Sequence, residues 1–182
     1  MASGNIIVFL SGSGVRTSSE ELHPDVSERL KMVLEIFREC SETYHERGFS
    51  LVLSKADQYP IALKRTKAWL EQQGIPVSCI SVEEFSWDIE TGVANAWKHH
   101  IKGLTKSLKN PTVHIVSQSL DAYMIQQVLR TVSNGTCQPV VRVCSYASWR
   151  TFLAGAWRFA CHQAGMTAQT IRAWKQINAH RS

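Results

Sequence analysis

The chain has 182 residues, of which 44% are hydrophobic and 19% are charged, and its formal net charge is +5. This length predicts a single domain, residues 1–182, with a substantial core, and the composition excludes an intrinsically disordered protein. No apolar stretch reaches the roughly 18 residues that a membrane-spanning helix requires, so we expect no membrane partner.

The most distinctive stretch of the sequence begins at residue 5. Residues Ile6 to Leu10 form an unbroken apolar run, which is typical of a strand buried on both faces of a parallel sheet. Four small residues follow this strand, namely Ser11, Gly12, Ser13 and Gly14. Small side chains let backbone N–H groups approach an anion, but glycines also serve tight turns. Both interpretations, an anion-binding loop and a turn, are open at this point.

Helical periodicity and short apolar runs alternate along the rest of the chain. Helices are predicted at 20–47, 60–73, 91–103 and 120–132, and further strands at 49–53, 75–82, 113–116 and 139–143. This alternation predicts an α/β fold, a Rossmann-like three-layer sandwich with a mostly parallel five-stranded sheet. Two extra helices, predicted at 148–162 and 167–180, form a C-terminal segment (147–182) after the core (5–145).

Small or polar residues follow four of the five predicted strands. They are Ser11–Gly14, Ser54 and Lys55, Glu83–Asp88, and Ser117–Ser119. The carboxyl ends of parallel strands meet at one edge of a sheet, and ligands bind there near the switch in strand order. We therefore predict a binding site for a nucleotide-like or anionic small molecule at this edge.

Several of these residues have a second, purely structural interpretation. Lys55 either pairs with a ligand carboxylate or phosphate or is an ordinary surface lysine. Asp88 and Glu90 lie at a predicted helix start, where helix capping is favoured over acid–base catalysis or a ribose contact. Ser119 and Asp121 have the pattern of a helix N-terminus, which either caps the helix or exposes N–H groups to an anion.

The order of six segments resembles that of a known family. The segments are Leu10–Gly14, Arg29 within Ser27–Leu30, Ser54–Ala56, Trp69–Pro76, Glu83 with Ser86–Thr91, and Ile115–Gln118. Over residues 5–145 they resemble the YdcF/SanA/ElyC-type family of Rossmann-like bacterial proteins. The resemblance implies a small ligand at the strand ends, with S-adenosylmethionine as one suggested cofactor. It adds Arg29 to the predicted ligand-binding residues, and its motifs include Glu83, Ser86 and Gln118 from the strand ends.

Two function classes follow from these observations. The first is a transferase or hydrolase, in which Ser13, Lys55 and Ser117 hold an anion and Asp88 or Glu90 handles a proton or a ribose hydroxyl. The second is a non-catalytic module that binds a ligand or a protein. Departures from the family pattern favour this second class. Asp121 and Met124 stand where the family has His and Arg, and the two glycines that follow the serine of the second strand in the family are absent after Ser54.

The remaining features concern compartment and partners. The five cysteines occur singly and no export signal precedes them, so we expect reduced thiols and a cytoplasmic protein. No spacing of His, Cys, Asp or Glu predicts a metal site. Residues 142–182 carry five arginines and one lysine but no acidic residue; a solvated face is favoured over nucleic-acid binding. Four aromatic residues of the same segment pack its helices or, if exposed, form a homodimer surface; they are Trp149, Phe152, Trp157 and Phe159.

Overall fold

The computed structural model describes residues 5–11, 24–44, 48–54, 60–86, 88–107, 111–146 and 149–165. The strands in these ranges are β1 (Ile6–Ser11), β2 (Phe49–Ser54), β3 (Ile80–Glu83), β4 (Thr112–Gln118) and β5 (Val140–Cys144). The helices are α1 (Pro24–Tyr44), α2 (Pro60–Gln72), α3 (Ile89–Ala96), α4 (Lys102–Ser107), α5 (Ser119–Val132) and α6 (Trp149–Gln163). A 3₁₀ turn, Val77–Cys79, precedes β3, and a π-helical segment, Trp97–Ile101, joins α3 to α4.

The five strands form one sheet in the order β3-β2-β1-β4-β5, and every neighbouring pair is parallel. This confirms the predicted Rossmann-like α/β sandwich. The chain moves outward from β1 through β2 to β3 and then crosses to β4 on the other side of β1. The switch in strand order therefore lies between β1 and β4, which is where such sheets form a ligand crevice.

Helices cover both faces of the sheet, which explains why β1 is apolar throughout. Val8 and Leu10 pack into a core that includes Leu30 of α1. Ile7 and Phe9 point to the opposite face, where the core includes residues of α3 and α5 such as Ile125. Alternate side chains of a strand point to opposite faces, so a strand covered on both sides presents apolar residues to both faces.

The third predicted strand, 75–82, is too long at its start. Val77–Cys79 forms a 3₁₀ turn instead, and the strand begins only at Ile80. Pro76 has extended backbone angles (φ −61°, ψ 137°) and its carbonyl accepts a hydrogen bond of 2.9 Å from the Cys79 N–H. A local turn thus uses a backbone donor that an extended strand would offer to its neighbour.

Two other boundaries differ from the sequence prediction. The helix predicted over 91–103 begins earlier, at Ile89, and its middle is the π-helical segment. Ser117 and Gln118, predicted to follow the fourth strand, belong to β4 because both pair with β5, opposite Val143 and Cys144. The predicted helix at 167–180 lies outside the described residues, as do Gly12, Ser13, Gly14 and Lys55.

Candidate functional site

The carboxyl ends of the strands bring the predicted site residues together along one edge. Ser11 of β1 is in register with Ser54 of β2, and Ser54 is in register with Glu83 of β3. Neighbouring strands are about 4.8 Å apart, so the ends of β3, β2, β1 and β4 form a row of roughly 15 Å. Two polar clusters lie along this row.

The first cluster, which we call the Glu83 cluster, lies at the ends of β2 and β3. The Glu83 side chain is 1% exposed, and its Oε2 accepts hydrogen bonds from the Ser54 hydroxyl (3.4 Å) and the Ser86 hydroxyl. Its Oε1 accepts from the Phe85 backbone N–H (2.7 Å) and from the Asn95 amide (3.4 Å). Four donors therefore surround one buried carboxylate.

These four donors account for the usual capacity of a carboxylate, which accepts about four hydrogen bonds. They replace water around the buried carboxylate, whose burial would otherwise be costly. Gly92 of α3 makes room for the cluster, since a Cβ there would lie 2.5 Å from the Ser54 hydroxyl. The cluster thus fixes the connection between β3 and α3. Ser54, Glu83 and Ser86 were predicted as ligand-binding residues; the structure brings them together, bonded to one another, and ligand binding by them stays a prediction.

The second cluster, the Arg29 cluster, surrounds the end of β4. Arg29 of α1 is buried, and its Nε donates to the Asp25 carbonyl (3.1 Å). The Gln118 amide donates to the same carbonyl (3.4 Å). The start of α1 thus meets the junction of β4 and α5, which is distant in the chain, because Asp121 at the start of α5 also acts electrostatically on Arg29.

Asp121 forms a two-point ion pair with Arg158 of α6. Arg158 Nε lies 3.1 Å from Asp121 Oδ1, and its Nη2 lies 2.6 Å from Oδ2. Parallel bonds of this kind are among the stronger charge-assisted contacts in proteins. They attach α6 to the first turn of α5. Sequence analysis did not single out Arg158. The sequence signal that could have found it is the excess of arginine in residues 142–182.

Electrostatics distinguish the Arg29 cluster from the Glu83 cluster. Burial lowers the pKa of Arg29, while the charges of Asp121 and Asp25 raise it. Arginine keeps its proton at any physiological pH, so a buried positive charge persists at the crevice. The Glu83 cluster, by contrast, has neutral donors around its carboxylate.

Ser117 Oγ, near the end of β4, has no hydrogen-bond partner among the described residues, although the residue is only 1% exposed. The Tyr146 hydroxyl, after β5, is also buried and lies near the backbone N–H groups of Leu120 and Asp121. Burial and the Asp121 charge raise the pKa of Tyr146, whereas Arg158 and the N–H groups of Leu120 and Asp121 lower it, and the result is a net increase. Tyr146 is therefore a neutral phenol at neutral pH. Sequence analysis missed it, since nothing in its local pattern marks it.

The two predicted catalytic carboxylates have structural partners. Asp88 is the N-cap of α3: its Oδ1 accepts from the Thr91 backbone N–H (2.8 Å), and the Thr91 hydroxyl completes a capping box. This confirms the capping interpretation of Asp88. Glu90 Oε1 lies 2.5 Å from Nδ1 of His162 in α6. Catalysis by either carboxylate stays a prediction.

Ser119 is the first residue of α5 and is exposed, while Gln118 occupies the N-cap position without a side-chain capping bond. The pattern at Ser119 and Asp121 therefore marks the start of a helix, as predicted, but Ser119 is not its capping residue. The role of the first N–H groups of α5 as an anion cradle stays a prediction.

The aromatic residues of α6 are largely exposed. Trp149 is 67% exposed, Phe152 46% and Trp157 46%, while the Phe159 ring packs against Tyr123 with centroids 5.7 Å apart. The predicted packing role holds for Phe159 and also for Phe152, whose ring packs edge-on against Tyr146 with centroids 5.6 Å apart. Exposure of Trp149, Phe152 and Trp157 is the condition under which a homodimer surface was predicted, and a homodimer stays a prediction.

The described ranges supply further findings on metals, membranes and thiols. They contain no group of three or more His, Cys, Asp or Glu side chains that could hold a metal ion. None of their helices combines the length and the apolar character that crossing a membrane demands. The five cysteines are free thiols, as predicted. Two arginines of the basic C-terminal segment are paired within the protein, Arg142 with Glu39 and Arg158 with Asp121.

Comparisons with known proteins do not add a relative to this picture. No protein-family model, no curated protein and no solved structure matches the chain. The resemblance to the YdcF/SanA/ElyC-type family stays a prediction, and function has to be inferred from the geometry of the strand ends.

Proposed function

We propose that the chain binds a small anionic molecule, a nucleotide or another phosphate or carboxylate compound, at the carboxyl ends of β1 and β4. The observation that carries the proposal is the Ser117 hydroxyl, which is 1% exposed and has no partner among the described residues. An unpaired buried hydroxyl costs about 1–3 kcal/mol. Buried polar groups in proteins nearly always have a partner, so a ligand atom is a natural partner for this one.

The position of Ser117 supports the proposal. It lies on β4, next to the switch in strand order, and side-chain alternation puts it on the same face as Ile115. Arg29 lies on the opposite face, where Gln118 contacts the N-terminal turn of α1. A ligand across the end of β4 can therefore use a hydroxyl on one face and a buried positive charge on the other.

Binding is the first proposal because the acidic residues near the site are engaged elsewhere. Asp88 caps α3, Glu90 contacts His162, and Glu83 has four donors. A transferase or hydrolase reaction on the bound molecule is a second candidate. Tyr146 favours it, because its buried hydroxyl belongs to a neutral phenol that can donate a proton. Turnover of the ligand, rather than retention, would distinguish the second candidate.

The test begins with a thermal-shift screen of nucleoside phosphates, S-adenosylmethionine, inorganic phosphate and dicarboxylates, since a ligand that binds the folded state raises Tm. Ser117→Ala is then compared with the parent by titration calorimetry. We expect the variant to be at least as stable as the parent, because it removes an unpaired hydroxyl. We expect its affinity for the ligand to fall about fivefold, the value of one neutral hydrogen bond of about 1 kcal/mol.

Ser133→Ala is the matched control. Ser133 is also buried, but its hydroxyl donates to the Arg130 carbonyl (3.2 Å) and accepts from the Cys137 N–H (3.3 Å). This variant should lose stability and keep its affinity for the ligand. The proposal fails if no anion in the screen raises Tm, or if Ser117→Ala binds the ligand as tightly as the parent.

A further inference from the structure

Phe85, in the connection between β3 and α3, has a highly exposed aromatic side chain. Of the large hydrophobic side chains in the described ranges it is the most exposed, at 79%. Single exposed apolar residues are common on protein surfaces. The position of Phe85 and the rigidity of its backbone, however, set it apart.

The backbone around Phe85 is anchored on both sides of the exposed ring. Its N–H donates to Glu83 Oε1 (2.7 Å), and the next residue, Ser86, is buried with its hydroxyl bonded to Glu83 Oε2. Ser86 also contacts the Ser54 hydroxyl (3.4 Å) at the end of β2. The Glu83 cluster therefore fixes the backbone that carries the exposed phenyl ring.

This backbone lies at the same edge of the sheet as the proposed anion site. The contact between Ser86 and Ser54 puts the segment that carries Phe85 across the ends of β3 and β2. From β2 the row continues to β1 and then to β4. Two strand spacings of about 4.8 Å separate β2 from β4 and three separate β3 from β4, so Phe85 lies on the order of 10–15 Å from the end of β4 along this row.

We propose that the Phe85 ring is a stacking platform for a planar aromatic group of the ligand, and that the ligand is a nucleoside phosphate. The inference rests on the proposed function, because it places the anionic end of the ligand at β1 and β4. A nucleotide carries its phosphate and its base on opposite sides of a ribose, which suits two subsites separated along one edge. Inorganic phosphate or a small dicarboxylate would not reach Phe85.

Stacking predicts how a substitution should act. A base stacked on an aromatic side chain gains roughly 5- to 100-fold in affinity, and any base can stack because each has a π-face. Phe85→Ala should therefore weaken nucleotide binding by about tenfold or more. It should leave the binding of ribose 5-phosphate unchanged, since this compound has the phosphate and the sugar but no base.

The experiment measures both classes of ligand on the full chain by titration calorimetry. The ligands are the adenosine, guanosine, cytidine and uridine monophosphates, with ribose 5-phosphate as the compound without a base. The variants are Phe85→Ala and Phe85→Trp, and Val77→Ala is the control because Val77 is also exposed (52%) but precedes β3. We expect Phe85→Trp to keep or strengthen nucleotide binding and Val77→Ala to have no effect.

The outcomes separate this inference from the proposed function. If the parent binds ribose 5-phosphate as tightly as the nucleotides, the anion site stands and the stacking platform is refuted. Equal losses for both ligands in Phe85→Ala, or no loss for the nucleotides, also refute it. If the parent binds neither class of compound, the nucleoside-phosphate inference fails, and the screen with the other anions decides the proposed function separately.

Discussion

Replacing Gly92 by alanine tests the packing of the Glu83 cluster. Gly92 is buried in α3, and an added Cβ would lie 2.5 Å from the Ser54 hydroxyl and 3.2 Å from the Ser86 hydroxyl. Both distances are shorter than an ordinary van der Waals contact. The Ser54 side chain can rotate away from the new methyl group, but it then loses its hydrogen bond to Glu83 and its contact with Ser86.

The expected magnitude combines two opposing effects. Forcing an extra methyl group into a well-packed site costs about 1–3 kcal/mol. Alanine regains up to about 1 kcal/mol over glycine inside a helix. Gly92→Ala should therefore lower the free energy of unfolding by about 1 kcal/mol. Gly103→Ala is the matched control: Gly103 lies in α4 and a Cβ there meets no atom of the described residues within 4 Å, so this variant should gain up to about 1 kcal/mol.

Equilibrium unfolding in urea measures both variants, with an unchanged m-value as the sign that the folded and unfolded states remain comparable. The two variants should differ by about 2 kcal/mol. Adding Ser54→Ala to Gly92→Ala removes the oxygen that the methyl group meets, so the double variant should lose less than the sum of the single losses. If Gly92→Ala is as stable as Gly103→Ala, the geometry of the cluster is wrong.

Three further predictions concern charge, pH and thiols. Asp121→Asn should lower the free energy of unfolding in urea by about 2 kcal/mol, because it breaks a two-point pair with Arg158, which is 35% exposed. Lys31→Ala, which removes an exposed ion pair with Glu28, is the control and should change the same free energy by less than about 0.5 kcal/mol. Equal effects of the two substitutions would contradict the argument. Burial and the charge of Arg142 lower the pKa of His114, so the folded state favours neutral imidazole and stability should fall as pH drops below the ordinary histidine pKa of about 6.5. His114→Gln should show a smaller loss between pH 7.5 and 5.5; an identical profile would refute this. All five cysteines are free, so a thiol reagent should titrate five thiols in non-reducing denaturant, and fewer than five would contradict this. Burial raises the pKa of Cys40, Cys137 and Cys144, so these thiols should react much more slowly in the folded protein.

Local sequence patterns determined the layered architecture and the capping role of Asp88. Short apolar runs separated by helical periodicity predict a parallel sheet covered on both faces, because a doubly buried strand is mostly apolar along its length. The capping role of Asp88 is equally local: it was predicted from its place at a helix start, and its partner, Thr91, lies three residues away. Such features depend on neighbours in the chain, and a single sequence contains them in full.

Tertiary structure alone decided which polar groups meet at the strand ends. Asp121 pairs with Arg158 across 37 residues, and Gln118 contacts Asp25 across 93. The sequence placed Glu83 at the edge, but its partners Ser54 and Asn95 follow from how β2 and α3 pack beside it. The Ser117 hydroxyl, without a partner in the part of the chain that the structure describes, is the clearest case, because whether a buried group has a partner is determined only after every neighbouring element has packed around it.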